Sequence, residues 1–167
     1  VAIGGRWRIA VEARFGAADI LVNNAGIEAG AQTYVTLDED SWDAVIDTNL
    51  KGAWWMAQEF TRRIVAARKP GGIIVNVSSI TAERVTKGIF PYAVSKAALN
   101  QATRVMALEG AKHNIRVNAL APGYIYTNVS KALLDSDIAP EFVRRIPQRR
   151  LGEFSDLDGP LLLLASA

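Results

Sequence analysis

The stretch "KPGGIIVNVSS", residues 69–79, decides the fold. A proline and two glycines end whatever precedes them, and "IIVNV" is a β-branched run with little polar alternation. Such a run suits a strand covered on both faces, which is the habit of parallel sheets. Parallel strands need long crossovers, usually helices. Both sides supply one. Upstream, Trp42, Val45, Ile46, Leu50, Trp54, Ala57, Phe60, Ile64 and Val65 recur at helical spacing and predict a helix over about 41–68. Thr36 and Glu39 have capping-box spacing at its start. Downstream, a polar loop runs to Pro91, and a second helical pattern over about 92–112 carries Ala93, Ala97, Ala98, Ala102, Met106 and Leu108.

Two further apolar runs flank these helices. "DILVN" (19–23) is closed by "NNAG", and "IRVNALA" (115–121) by Pro122 and Gly123. A helical reading through Ile9, Val11 and Phe15 ends at Gly16, and short amphipathic pieces lie around 129–134 and 140–146. A last helix starts at Ser155, with Pro160 expected to kink it. Strands alternating with helices of this length predict an α/β fold, a parallel sheet with helices on both faces, in a single partial domain over 1–167.

Composition bounds the function. The chain has 167 residues, 50% hydrophobic and 22% charged, with a net charge of +2, ordinary for a globular protein. Arginine pairs at 62–63, 144–145 and 149–150 read as solvated surface, and without a basic stripe interleaved with aromatics no nucleic-acid partner is expected. There are no cysteines, which excludes disulfides, thiol nucleophiles and cysteine-ligated metals, and no metal site is expected. The longest apolar run, near "GPLLLLASA", is too short to span a membrane, and no secretory signal opens the chain; no membrane partner and a cytoplasmic location are the default.

In an open parallel sheet, ligands bind beyond the carboxyl ends of the strands. "NNAG", "SS" and "PG" all lie at such ends, so three loops converge on one cleft. Singly, each is a common turn signal. Tyr92 and Lys96 in "YAVSK" are four apart, so phenol and ammonium share one helix face at a helix start just beyond the sheet. A nearby cation favours phenolate, so Lys96 would make Tyr92 a usable acid–base near neutral pH, with the Ser79 hydroxyl holding the substrate oxygen.

The set "DILVNNAG", "DTNLKGAW", "GIIVNVSS", "YAVSKAAL" and "NIRVNALAPGYIYT", in this order and spacing, resembles the classical short-chain dehydrogenases/reductases from about Glu12 to Ser166. The resemblance implies an oxidoreductase moving a hydride between NAD or NADP and an alcohol or carbonyl substrate. Tyr92 would be the acid–base, Lys96 would lower its pKa and bind the nicotinamide ribose, and Ser79 would orient the reacting oxygen. Asn49 would support a water in the proton relay. Asn24, Ala25 and Gly26 would line the cofactor after the first strand, and Pro122, Gly123, Ile125 and Thr127 would hold its nicotinamide end. A homodimer or homotetramer is implied, built on the two long helices, with Trp54, Trp55 and Phe60 either anchoring that contact or buried in the core.

Two parts of the family pattern have no counterpart here. The family opens with a strand, a glycine-rich turn and a helix, whereas "AIGGRW" lacks the glycine spacing, and the family continues past the last helix into another strand. The expectation is therefore a fragment holding the second, nicotinamide-binding half of a Rossmann fold, with an unpaired edge at 19–23 and poor folding and activity on its own. The residues that would choose between NAD and NADP are not in the sequence. A non-catalytic binding or regulatory protein on the same scaffold is the alternative. The segment after Thr127, with Tyr124, Tyr126, Val129, Leu133, Leu134, Ile138 and Phe142, either closes over a hydrophobic substrate or packs on its own scaffold.

Overall fold

A computed structural model describes residues 14–127, 130–137 and 139–166. The expected helical reading through Ile9 and Val11 and the "AIGGRW" segment lie outside them, as do Val129 and Ile138.

Three strands, β1 (Ile20–Asn23), β2 (Gly72–Val77) and β3 (Ile115–Leu120), form one parallel sheet in the order β1-β2-β3. The register sets Leu21 beside Ile74 and Ile74 beside Val117, so these three side chains share one face. The long helical stretch between β1 and β2 covers that face. It comprises α1 (Glu39–Ile46), a π-helical turn (Asp47–Lys51) and α2 (Gly52–Ala66). Ala57, Phe60 and Ile64 of α2 meet Ile74, Ile115 and Val117, with Met106 and Ala107 of α3 (Phe90–Gly110) beside them. The remaining helices are α4 (Lys131–Leu134), α5 (Ala139–Arg145) and α6 (Ser155–Ala165). On the other face the register pairs Ile73 with Arg116, whose guanidinium donates to the Ser166 carbonyl just past α6. Helices thus lie on both faces, as the strand–helix alternation predicts. α6 leaves part of its face open, and Ile20 and Val22 stay 45% and 41% exposed on β1.

One local reading changes and two are settled. The long helix is capped by Asp38, whose carboxylate accepts from the Ser41 N–H at 2.7 Å, and not by Thr36, which closes its own turn with Thr33. An aspartate next to the first turn is as good a cap and adds a favourable charge. α6 starts at Ser155 as expected and contains Pro160. Phe60 is core, whereas Trp54 and Trp55 are exposed, so of the three aromatics only the tryptophans remain open to a contact. Among the described residues no helix is long and apolar enough to cross a membrane.

Gly72 shows how closely α2 sits on the sheet. A Cβ there would lie 2.8 Å from Phe60 Cζ and 3.2 Å from Ile64 Cδ1. Gly72→Ala is expected to cost about 1–3 kcal/mol by overpacking, read as a lower denaturant midpoint. An unchanged midpoint would mean that the Phe60 ring yields freely.

Candidate active site

Tyr92 and Lys96 stand in the first two turns of α3, where Pro91 presets the helical backbone. One turn apart, they share a face, and the Lys96 Nζ lies 5.5 Å from the centroid of the Tyr92 ring. Lys96 is only 3% exposed. Its ammonium donates to the Val77 carbonyl at 2.8 Å, at the carboxyl end of β2, and no carboxylate among the described residues pairs with it. Burial pushes it down to about 8. Ser79, two residues past Val77, is buried and accepts from the Thr81 N–H and hydroxyl at 3.2 and 2.9 Å, which fixes its rotamer.

The Tyr92 phenol sits above its ordinary pKa. Burial is the main cause, the Ser79 hydroxyl pulls the other way, and the charge of Glu28 adds to the rise. Among the chain's own groups, burial of the phenol outweighs the hydrogen bond from Ser79.

Asn49 joins the set through the π-helical turn, which re-aims a side chain within a continuous helix. Its Oδ1 accepts from the Ile27 N–H at 2.8 Å, and its Nδ2 donates to the Ile27 carbonyl at 3.0 Å and to Ser95 Oγ at 3.0 Å. Ser95 in turn donates to the Tyr92 carbonyl at 2.7 Å. The loop after β1 is thereby tied to the helix that carries Tyr92. A Cβ on Gly26 would meet Lys96 Nζ at 3.4 Å and Asn49 Oδ1 at 3.5 Å, so this loop passes directly over the lysine.

The loop after β3 closes the third side. The Pro122 carbonyl accepts from the Ile80 N–H at 2.9 Å, joining it to the loop that holds Ser79. Asn24, Ala25 and Gly123 are exposed, and a Cβ on Gly123 would meet nothing within 4 Å, which leaves that backbone free to approach a ligand. Ile125 is buried instead, bridged in parallel to Gly152, and the Thr127 hydroxyl shares hydrogen bonds with Ser130. Beyond it the segment packs on itself: Tyr124 meets Phe142 edge-on at 5.7 Å, and Tyr126 donates to Asp135 at 2.7 Å.

Below the site runs a polar network. Asn23 donates to Asn76 at 2.8 Å, and Asn76 donates to Thr103 at 2.8 Å, all within the sheet–α3 seam. Asn23, Asn76 and Ser95 lie within the quoted motifs, which give them no role, and Thr103 lies outside them; the polar signal for Asn76 is its place inside an otherwise apolar strand. Together the four candidate catalytic residues come from three elements and meet at the carboxyl end of the sheet.

A family model described as Enoyl-(Acyl carrier protein) reductase matches residues 6–167. The 2-dehydro-3-deoxy-D-gluconate 5-dehydrogenase of Dickeya dadantii is 41% identical over 156 residues, covering 93% of this chain and 61% of the relative. The crystal structure of a gluconate 5-dehydrogenase from Burkholderia cenocepacia in complex with NADP and tartrate superposes with a TM-score of 0.88 at 36% identity, covering 95% of this chain and 61% of that one. A 4-hydroxyisoleucine dehydrogenase complexed with NADH superposes with a TM-score of 0.86 at 27% identity, covering 96% and 65%. The chain thus spans about three fifths of the length of the proteins it matches. It belongs to the short-chain dehydrogenase/reductase family.

Proposed function

We propose that this chain carries the catalytic half of an NAD(P)-dependent dehydrogenase/reductase acting on a small alcohol or carbonyl compound. The observation that supports it most is the Lys96 ammonium: buried, without a carboxylate among the described residues, and held beneath a tyrosine at the sheet's carboxyl end. A chain with no use for that charge would replace it with an apolar side chain at a gain in stability.

The residues fit a nicotinamide nucleotide. Among the described residues Lys96 has one acceptor for its three N–H donors, and Asn24, Ala25, Gly26, Pro122 and Gly123 line the exposed loops on either side of it. When bound, the nicotinamide ring would give or take the hydride, and its positive oxidised form would add to the charge near the phenol. Lys96 would hold the ribose, and Thr127 and Ile125 would back the ring. Ser79 would hold the substrate oxygen, and Tyr92 would deliver or remove its proton. Asn49, with its carboxamide committed to Ile27 and Ser95, positions the loop after β1 first; holding a relay water would be a second task. The exposed Trp54 and Trp55 on α2 would suit a contact with a second copy.

The experiment is a titration with NADH and NADPH, followed by nicotinamide fluorescence, on the protein as its gene encodes it and on Lys96→Ala. Saturable binding that weakens about tenfold or more in Lys96→Ala is expected, since a charge-assisted hydrogen bond to the ribose is lost. Equal binding by both proteins would remove Lys96 from the cofactor site.

A further inference from the structure

Ser95 joins two parts of the candidate site, and neither proton transfer nor cofactor contact uses it. It is fully buried, in the turn of α3 between Tyr92 and Lys96. A hydroxyl has one proton to give and two lone pairs to receive with. Its proton goes to the Tyr92 carbonyl at 2.7 Å, so its oxygen is left to accept from Asn49 Nδ2 at 3.0 Å. Asn49, 1% exposed, commits the rest of its carboxamide to the N–H and carbonyl of Ile27. Those two bonds join the loop after β1 to the π-helical turn and go no further. Among the described residues, Ser95 is the one hydrogen-bonded link from residues 24–28 to α3. That loop covers Lys96, since a Cβ on Gly26 would lie 3.4 Å from its Nζ.

We propose that Ser95 is a positioning residue of the nicotinamide pocket: its hydroxyl latches the Asn49–Ile27 clamp onto α3 and so keeps the loop after β1 closed over the Lys96 ammonium. The inference rests on the reading of Lys96 as the ribose-binding group. Without the hydroxyl, one N–H of Asn49 is buried with no acceptor at hand. Asn49 and Ile27 relieve it by moving off α3 together, because the two bonds between them survive that motion. The loop then lifts and water reaches Lys96. A pocket that must close anew at each binding event holds its ligand less tightly than one already formed.

The test titrates NADH and NADPH, across neutral and alkaline pH, into the protein as its gene encodes it and into Ser95→Ala, Ser95→Cys and Lys96→Ala. At neutral pH Ser95→Ala should bind about fivefold more weakly, the worth of one neutral hydrogen bond. The second readout is the pH at which binding falls off. In the native protein burial holds Lys96 to about 8, so binding weakens as pH rises through about 8. With the loop lifted, burial relaxes and the fall moves up toward the ordinary 10.5. A fold loosened elsewhere would weaken binding without moving that fall. The elements around Lys96 also bring Tyr92, Glu28 and the exposed, mutually paired Asp47 and Lys51, and β2 brings no titratable group. Lys96→Ala, whose residual binding should show no fall near 8, assigns it among them. Ser95→Cys keeps the size with a weaker donor and acceptor, so it should lie between native and Ser95→Ala, and it reads the same shift should Ser95→Ala not fold. A fall that stays at about 8 in the Ser95 variants, native affinity in Ser95→Ala, or failure of both variants to fold overturns the proposal, while weaker binding by Lys96→Ala in the same series keeps Lys96 in the cofactor site. Equal binding by Lys96→Ala and native protein, or none by the native protein, overturns both.

Discussion

Tyr92→Phe lowers kcat about 10²–10⁴-fold, the usual contribution of a positioned acid–base, while nicotinamide binding changes little. The substitution removes one oxygen from a half-buried ring and leaves the helix, Pro91 and the Ser95 bond to the residue 92 carbonyl in place. Its effect is therefore chemical. The direction of the reaction matters too. Burial holds the phenol above its ordinary pKa, so at neutral pH Tyr92 keeps its proton. Carbonyl reduction then finds its proton donor ready. Alcohol oxidation needs the phenolate, so its rate rises with pH through the alkaline range, where the native enzyme gains and Tyr92→Phe does not. Stopped-flow absorbance of the nicotinamide at several pH values checks both. A Tyr92→Phe enzyme within a factor of a few of native would assign the proton to another group.

The sheet was legible because each strand is a short apolar run closed by Gly, Pro or Ser, with a long amphipathic pattern between successive strands. Tyr92, Lys96, Ser79 and Asn49 were legible as a set, because their motifs recur together. What was hidden depends on contacts between distant segments. The π-helical turn is one case. Val45, Asn49, Ala53 and Ala57 all face inward, four apart, and a regular helix cannot keep four such positions on one line. The periodic reading therefore put Trp54 on the apolar stripe, where the structure buries Ala53 and leaves Trp54 45% exposed. The charge balance at the phenol was out of reach for a related reason. Spacing shows that Lys96 is near, but how much burial opposes it depends on what covers both groups.

Lys96→Met abolishes most activity and stabilises the fold. Removing one preorganised cation from a dry site lowers kcat about 10²–10³-fold. The stability change has the opposite sign. Lys96 titrates at about 8 in the folded chain against an ordinary 10.5, so keeping it charged below pH 8 costs the fold about 3 kcal/mol at most. A folded pKa below the unfolded one means that the unfolded chain binds more protons between the two values. The penalty is thus complete below pH 8 and is relieved as pH rises from about 8 to 10.5. Methionine fills nearly the same space without a charge, and gives up the bond to the Val77 carbonyl, which is worth about 1 kcal/mol. At pH 7, urea unfolding should therefore show a higher midpoint for Lys96→Met. The gap should narrow toward pH 10 as the native lysine loses its proton. In the native enzyme, carbonyl reduction should fall as pH rises through about 8, because Tyr92 remains protonated there and Lys96 is the group that discharges. That limb should be missing from the residual activity of Lys96→Met. A lower midpoint in the variant, or a reduction rate flat across pH 8, would mean that the lysine is held charged by a partner stronger than the Val77 carbonyl.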